Sequence, residues 1–446
     1  MLLSELAKIV NGKLYGQDTK ASAFNIDTRE LLPGEVFIAL KGDKHDGHHF
    51  LQAACEKQAA GAIVSAFTEM PIPFVQVEDT QYALGQIAAK HRLRYSLPII
   101  AITGSCGKTT TKSMITSILH HVGPTLSTVR SFNNEVGVPL TLLQLNENHR
   151  YAVIEMGARH VNDIAYLSQI AQHSVALITN VAPAHLEGFG SIEGVAKAKA
   201  EIYEGLPKEG IAILNADDPF VSMWKTIVKD KTTVTFGLNQ PADFTASNIK
   251  LSAQGQPQFD VNSPKGTFTI RLPLLGEHNV KNALAAIACS YALGVDEEAI
   301  IKGLEDLLPV NNRLVRYKGL SGSLVIDDSY NANPLSVTAA LKTLATFKGE
   351  KIFVFGDMAE LGPDQEKFHT EVGNQAKALG IDKLYACGKL SALAVLAFGD
   401  KGVFFEDQES LTHSLKQDLH DNATVLVKGS RISQMENIVQ AIIQEI

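Results

Sequence analysis

The chain contains no unbroken apolar run of about 18 residues, the length that signals a helix crossing a bilayer, so it is not expected to be embedded in a membrane. Its first residues, "MLLSELAKIVNGKL", mix apolar and charged side chains like an amphipathic helix and lack a small-residue cleavage site. No signal peptide is read there, and a cytoplasmic location is expected. Cysteine is scarce: Cys55, Cys106, Cys289 and Cys387 lie far apart, with no C-x-x-C pair. That argues against a disulfide framework and against a thiolate zinc site. No basic run appears, and 48 acidic residues outnumber 40 basic ones, for a formal net charge of −8. A protein of that sign is a poor non-specific binder of nucleic acid, although placed amides and a few cations still allow it a local anion site. Internal repeats and low-complexity segments are also missing.

What is present is ordinary globular composition, 45% apolar and 20% charged over 446 residues, too long for one hydrophobic core. Residues 1 to about 82 read as a small α/β domain. "GEVFIAL" is a strand after the Pro33-Gly34 turn, "HHFLQAACEKQAAG" a helix ending at Gly61, and "MPIPFVQVED" extended chain. Residues 83–310 alternate apolar strands ("PIIAITG", "YAVIEMG", "SVALITNV", "GIAILNAD") with helical patterns, which implies a parallel sheet covered on both faces. Within them, "TVTFGLN", "FTASNIKLS" and "GTFTIRLPLLG" alternate like antiparallel strands and are expected to form an appendage. A boundary is expected near "PVNNRLVR" at 309–316. Over 311–446 the alternation restarts with "SLVIDDS", "KIFVFGD", "KLYACG", "GVFFE" and "ATVLVKGS", a second doubly wound, Rossmann-like sheet. The expected fold is therefore α/β in three domains.

One further absence raises the functional question. The usual phosphate-loop pattern, G-x-x-x-x-G-K-[ST], wants a glycine at position 102, and Ile102 stands there. The rest is in place: an apolar strand runs into Gly104-Ser105-Cys106-Gly107-Lys108-Thr109, and a helical pattern begins at the lysine. That arrangement aims free backbone amides and the positive end of a helix at an anion. Lys108 would neutralise phosphate charge, and the Thr109 hydroxyl is placed to ligate Mg²⁺. Two strand ends of the same sheet deliver Glu155 ("AVIEMG") and His185 ("ITNVAPAHLEGFGS") to the edge where such sheets bind ligands. Cys106 sits beside Lys108 at a helix N-terminus, a setting expected to lower a thiol's pKa, and its alkylation is expected to block ATP binding.

The blocks "TGSCGKTTT", "NNEVGVPLTLL", "EMGARH", "NVAPAHLEGFGS", "AKAKAEIY", "GEHNVKNALAA" and "DDSYNANPLS", in that order, resemble the ATP-dependent Mur ligases of bacterial cell-wall synthesis. That family's short loop, T-G-x-x-G-K-[ST], also lacks the early glycine. "DDSYNANPLS" and "GDMAELG" are similar to the branch that adds D-alanyl-D-alanine to UDP-N-acetylmuramoyl-tripeptide (UDP-MurNAc-tripeptide); the diaminopimelate- or lysine-adding branch would read "DYAHTP", and its Asp-Asn-Pro-Arg motif is missing. The resemblance implies an ATP-dependent amide ligase working through an acyl phosphate, with ATP and Mg²⁺. Another Mur-type or folylpolyglutamate-type ligase with a different amine remains the alternative.

The resemblance also assigns residues. ATP is expected on Gly104, Ser105, Cys106, Gly107, Lys108, Thr109 and Thr110, with Asn282 on the adenine, Arg313 near the nucleotide and Asp328 on the ribose. Mg²⁺ is expected on Thr109, Glu155 and His185, and on Lys199 ("AKAKAEIY") carrying a CO₂-derived carbamate. Lys108, Lys199 and His185 are the expected catalytic residues. The UDP end is expected at Thr28, Arg29, Asp46 and His48, with Asn133 and Asn134 near the sugar and phosphates. Tyr330, Asn331, Asn333 and Arg431 are the candidates on the dipeptide side. Tyr330 departs from more distant ligases, which carry lysine there. A monomer is expected.

Overall fold

The computed structural model describes residues 1–42, 45–67, 69–183 and 186–444. No helix among them is long and apolar enough to cross a membrane.

The central sheet comprises Ile99–Thr103, Thr125–Ser127, Tyr151–Glu155, Val175–Ile178, Ile211–Asn215 and Thr232–Phe236, all paired in parallel. Ile99–Thr103 lies in its interior, between Tyr151–Glu155 and Val175–Ile178. Successive side chains of a strand point to opposite faces, and here each face has its own core. Ile100, Ile102, Val153 and Leu177 pack with the helices Lys108–His120 and His278–Ala292. Ile99, Ala101, Ile154 and Ala176 pack with Ala88, Leu167 and Trp224 on the other side. This double burial explains why the strand sequences are continuously apolar.

The N-terminal sheet (Lys13–Tyr15, Phe24–Asn25, Val36–Ile38, Gly61–Val64, Phe74–Gln76) is parallel except for its first strand. The C-terminal sheet contains each of the five expected strands, as Leu324–Asp328, Glu350–Gly356, Lys383–Cys387, Gly402–Phe405 and Ala423–Lys428. It also contains an antiparallel edge strand, Val315–Lys318, so the expected boundary segment already belongs to this sheet at its end.

Three expectations are corrected. "TVTFGLN" is not part of the antiparallel appendage: Thr232–Phe236 is the parallel edge strand of the central sheet. Its alternation reflects an edge position, with its first two residues exposed. The appendage is Thr245–Leu251, Pro257–Ser263 and Gly266–Arg271, and its middle strand was not anticipated. The helix expected to end at Gly61 stops at Glu56, where the chain turns through a left-handed Gln58 (φ 58°).

The helix Glu297–Glu305 braces the helix that starts at Lys108. A Cβ on Gly303 would stand 2.3 Å from Ile118 Cα, which is backbone and has no room to give. Gly303→Ala is therefore expected to destabilise the protein by about 1–3 kcal/mol. The check is a lower denaturant midpoint with an unchanged slope.

Candidate active site

The loop after Ile99–Thr103 is shaped by two glycines. Gly104 has φ 150°, and a Cβ there would lie 1.9 Å from Thr179 Oγ1. Gly107 has φ 79°, and a Cβ there would lie 2.5 Å from Asn282 Oδ1. Any side chain would be strained twice over, in backbone angle and in space. Asn180 closes the first half of the loop: its carbonyl accepts from Ser105 N at 2.9 Å and its Oδ1 from Cys106 N at 3.0 Å. The loop amides expected to hold phosphate are thus fewer than Gly104 to Thr110, because those of Ser105 and Cys106 are already bonded. The N–H groups of Gly107, Lys108, Thr109 and Thr110 have no protein acceptor among the described residues. They form an open helix N-terminus, which favours an anion.

Positive charge converges on that opening. Lys108 Nζ donates to Gly104 O at 2.6 Å, and burial lowers its pKa, opposed by the charge of Glu155. Lys199, on the helix Ile192–Glu204, is 3% exposed and has no hydrogen bond or ion pair among the described residues. Burial, with the nearby Lys108 charge, brings its pKa down to about 7. The carboxylate whose charge acts on Lys108 is Glu155, 1% exposed. Its Oε1 accepts from Asn133 Nδ2 at 2.8 Å; its Oε2 lies 3.7 Å from Lys112 Nζ and has no hydrogen-bond partner.

The C-terminal sheet supplies the opposite wall. Arg313 donates through Nη2 to Thr109 Oγ1 at 3.0 Å, and its guanidinium lies 4.2 Å from the Tyr330 ring centroid. Asn333 caps the helix Pro334–Ala345 and meets the Cys106 thiol at 3.1 Å. Lys428 Nζ, side chain 2% exposed, holds Asp328 Oδ2 at 2.5 Å and Asn331 O at 2.9 Å.

These walls enclose a cleft of about 1560 Å³. It brings together Lys108, Thr109, Glu155, Lys199, Asn282 and Arg313. Ser105, Cys106, Gly107, Thr110, Asn133, Asn134, Asp328, Tyr330, Asn331, Asn333 and Arg431 also line it, whereas Gly104 lies behind it against Thr179. Asn282 donates to Asn279 Oδ1 at 2.9 Å. Asn134 Oδ1 accepts from Gly137 N at 3.0 Å, and Arg431 pairs with Glu436 at 2.6 Å.

Thr28, Arg29, Asp46 and His48 do not line this cleft. Arg29 forks onto Asp27 at 2.5 Å, and His48 bridges Asp46 at 2.6 Å to the Ser65 amide at 3.0 Å. His185 lies outside the described residues. The residues that sequence reasoning missed are Lys428, Arg159 and the Lys281–Asp217 pair at 2.8 Å, all on the cleft wall. Lys428 had a signal, since it is a lysine ending an otherwise apolar strand.

Cys106 is a second correction in the loop. Its thiol pKa is raised, because burial outweighs the Asn333 hydrogen bond and the nearby Lys108, Lys428 and Lys199 charges. A helix N-terminus activates a thiol only when the thiolate is also solvated.

A cradle of this kind, with buried amines facing an open helix end between two parallel sheets, defines a nucleotide-dependent enzyme of the phosphate-loop class. The pattern of the Mur ligase middle domain matches residues 102–290, and that of the Mur ligase, glutamate ligase domain matches residues 312–431. The chain is 43% identical to an Escherichia coli protein, UDP-N-acetylmuramoyl-tripeptide--D-alanyl-D-alanine ligase, covering 99% of this chain and 98% of the relative. A MurF crystal structure from Acinetobacter baumannii superposes with a TM-score of 0.93 at 37% identity, covering 98% of this chain and 97% of the other. MurF from Thermotoga maritima, solved in complex with ADP, gives 0.84 at 28% identity, covering 95% and 97%. The chain belongs to the Mur ligase family, whose members are ATP-dependent amide ligases.

The raised thiol pKa sets an expected outcome. Cys106 should alkylate with iodoacetamide more slowly at pH 7 than a free cysteine in a peptide, and faster as pH rises beyond the usual thiol range. Peptide mass spectrometry against pH, with and without ATP, checks this; fast labelling at pH 7 contradicts the burial argument.

Proposed function

We propose that this protein joins the amine of D-alanyl-D-alanine to the terminal carboxylate of UDP-N-acetylmuramoyl-tripeptide, consuming ATP. The observation that carries the chemistry is the cradle itself: four unbonded amides, the half-buried Lys108, the buried Lys199 and the buried Glu155 carboxylate lining one cleft. The substrate identity is supported by end-to-end likeness to the Escherichia coli enzyme of that name.

Joining a carboxylate to an amine in water is uphill. Transfer of the γ-phosphoryl group to the carboxylate gives an acyl phosphate, and attack by the dipeptide amine then forms the amide and releases phosphate. Both reactants of the first step are anionic, so they must be held together against their repulsion. The amides of Gly107 to Thr110 and Lys108 hold the phosphates. Arg313 reaches the same loop from the C-terminal sheet. Asn282 is assigned to the adenine edge, since its amide both donates and accepts. Asp328 is assigned to the ribose, and Asn331, Asn333 and Arg431 to the dipeptide side of the cleft.

The residues present fit Mg²⁺. Glu155 Oε2 is a buried carboxylate oxygen with no hydrogen-bond donor, and Thr109 supplies a hydroxyl to the same cleft; oxygen donors suit this ion. When bound there with His185, Mg²⁺ would neutralise phosphate charge. Lys199 fits carbamylation. It is buried, unpaired and close to Lys108, so a neutral amine that takes up CO₂ exchanges like-charge repulsion for an anionic oxygen donor. We assign residues 1–82 to the UDP end, 83–310 to ATP and 311–446 to the dipeptide, with a monomer as the working unit.

Two outcomes test this reading. With ATP, UDP-N-acetylmuramoyl-tripeptide and D-alanyl-D-alanine together, phosphate release and the mass of the dipeptide adduct are both expected, and Lys108→Ala should slow release by about 10²-fold or more. Phosphate release that ignores the dipeptide contradicts the assignment. Lys199 takes up CO₂ only as the neutral amine, so its carbamate should grow as pH rises through about 7. ¹³C-bicarbonate NMR should show a carbamate signal that Lys199→Arg abolishes along with activity.

A further inference from the structure

Tyr330 lies on the loop that follows the strand Leu324–Asp328, at the position where more distant ligases carry lysine. Its backbone is fixed on both sides. Tyr330 N donates to Asn312 O at 3.2 Å, and Asn331 O is held by the buried Lys428 at 2.9 Å. The ring is therefore a rigid platform, and the Arg313 guanidinium stacks on it, 4.2 Å from the centroid. From there Arg313 reaches across to Thr109 Oγ1 at 3.0 Å. The described residues give Arg313 no carboxylate partner. A guanidinium is ordinarily aimed by a carboxylate fork, which would also neutralise it. An aromatic face aims it and leaves its charge unspent.

The neighbours make that unspent charge informative. Arg313 reaches the loop that carries Lys108, and the nearby Glu155 carboxylate lies 3.7 Å from Lys112 Nζ, not against Arg313. The described residues therefore leave the guanidinium without an anion of its own. The neutral Thr109 hydroxyl is a weak acceptor for a guanidinium, and a phosphate oxygen in the loop is a stronger one. We propose that Tyr330 is a positioning residue that presents Arg313, uncompensated, to the terminal phosphates of the bound nucleotide. It does so by stacking under the guanidinium, not by contacting the dipeptide. This rests on the reading of the loop as an ATP site and is independent of which amine the enzyme joins.

The test uses the full-length protein and titration calorimetry with Mg²⁺ present, with a non-hydrolysable ATP analogue, AMP and UDP-N-acetylmuramoyl-tripeptide as probes. Tyr330→Leu is expected to weaken the ATP analogue about tenfold while AMP and the tripeptide stay within about twofold, because only the distal phosphates face Arg313. Tyr330→Phe keeps the ring and is expected within about twofold on all three probes. In an Arg313→Ala background, Tyr330→Leu is expected to add less than about twofold to the loss. The proposal is overturned if Tyr330→Leu leaves the ATP analogue unaffected, if AMP or the tripeptide weakens equally, if Tyr330→Phe loses as much as Tyr330→Leu, or if the full loss persists without Arg313. Should Tyr330→Leu fail to fold, Arg313→Lys decides: it keeps the charge but not the planar stack, so about a tenfold loss on the ATP analogue is expected and an unchanged affinity overturns the proposal. Failure of the unaltered protein to bind any nucleotide overturns the ATP-site reading as well, whereas nucleotide binding without dipeptide-dependent turnover overturns only the choice of amine.

Discussion

The structure depends on holding the half-buried Lys108 and the buried Lys199 at one phosphate loop, where Lys199 has no carboxylate partner among the described residues. Burying a charged amine costs free energy unless something pairs with it. Lys199 meets that cost by a pKa near 7, and Lys108 by donating to Gly104 O while burial lowers its pKa. Neither arrangement satisfies the four open amides of the adjoining helix end. An anion such as a phosphate satisfies the amides and the amines together. The two double-faced cores behind the loop make this tenable. A strand buried on both sides and two helices packed on each other leave the loop little freedom to collapse onto its own charges.

The two walls of the cleft meet the loop differently. The central sheet holds it by backbone and by Asn180. From the C-terminal sheet, Arg313 and Asn333 touch it with side chains alone, one on Thr109 and one on Cys106. Contacts of that kind are easily exchanged for contacts to a ligand, and interfaces between domains that bury little are the ones that move. An acyl phosphate must be shielded from water until the amine arrives, so a wall that can close on its contents suits the chemistry.

Much of this was legible in the sequence, for identifiable reasons. Strands such as "PIIAITG" and "ATVLVKGS" stood out because burial on both faces leaves them no polar positions. The edge strand Thr232–Phe236 was misassigned for the converse reason, because one open face mimics the alternation of an antiparallel strand. The phosphate loop was legible because glycine spacing is forced by backbone geometry, as the close approaches at Gly104 and Gly107 show. Cys106 was misjudged because a motif carries the helix dipole but not the burial, and burial wins. Lys428 and the Asp217–Lys281 pair stayed hidden because each is defined by a neighbour distant in sequence.

The Lys428–Asp328 pair shows how the fold and the chemistry are coupled at the second wall. The two residues are register partners on adjacent parallel strands, each at the strand's C-terminal end. Register alone therefore puts the ammonium beside the carboxylate, and a second donor of Lys428 reaches Asn331 O. A buried ion pair is a weak source of stability, because desolvation offsets most of its attraction. Its directional bonds nevertheless fix the loop from Asp328 to Asn333 to one conformation. Asp328, the Tyr330 ring and the Asn333 side chain all leave that loop towards the cleft. One lysine thus sets the relative positions of the groups that this loop offers to the cleft. Shape at this wall is determined by charge pairing beneath it, as shape at the phosphate loop is determined by the space that only glycine leaves.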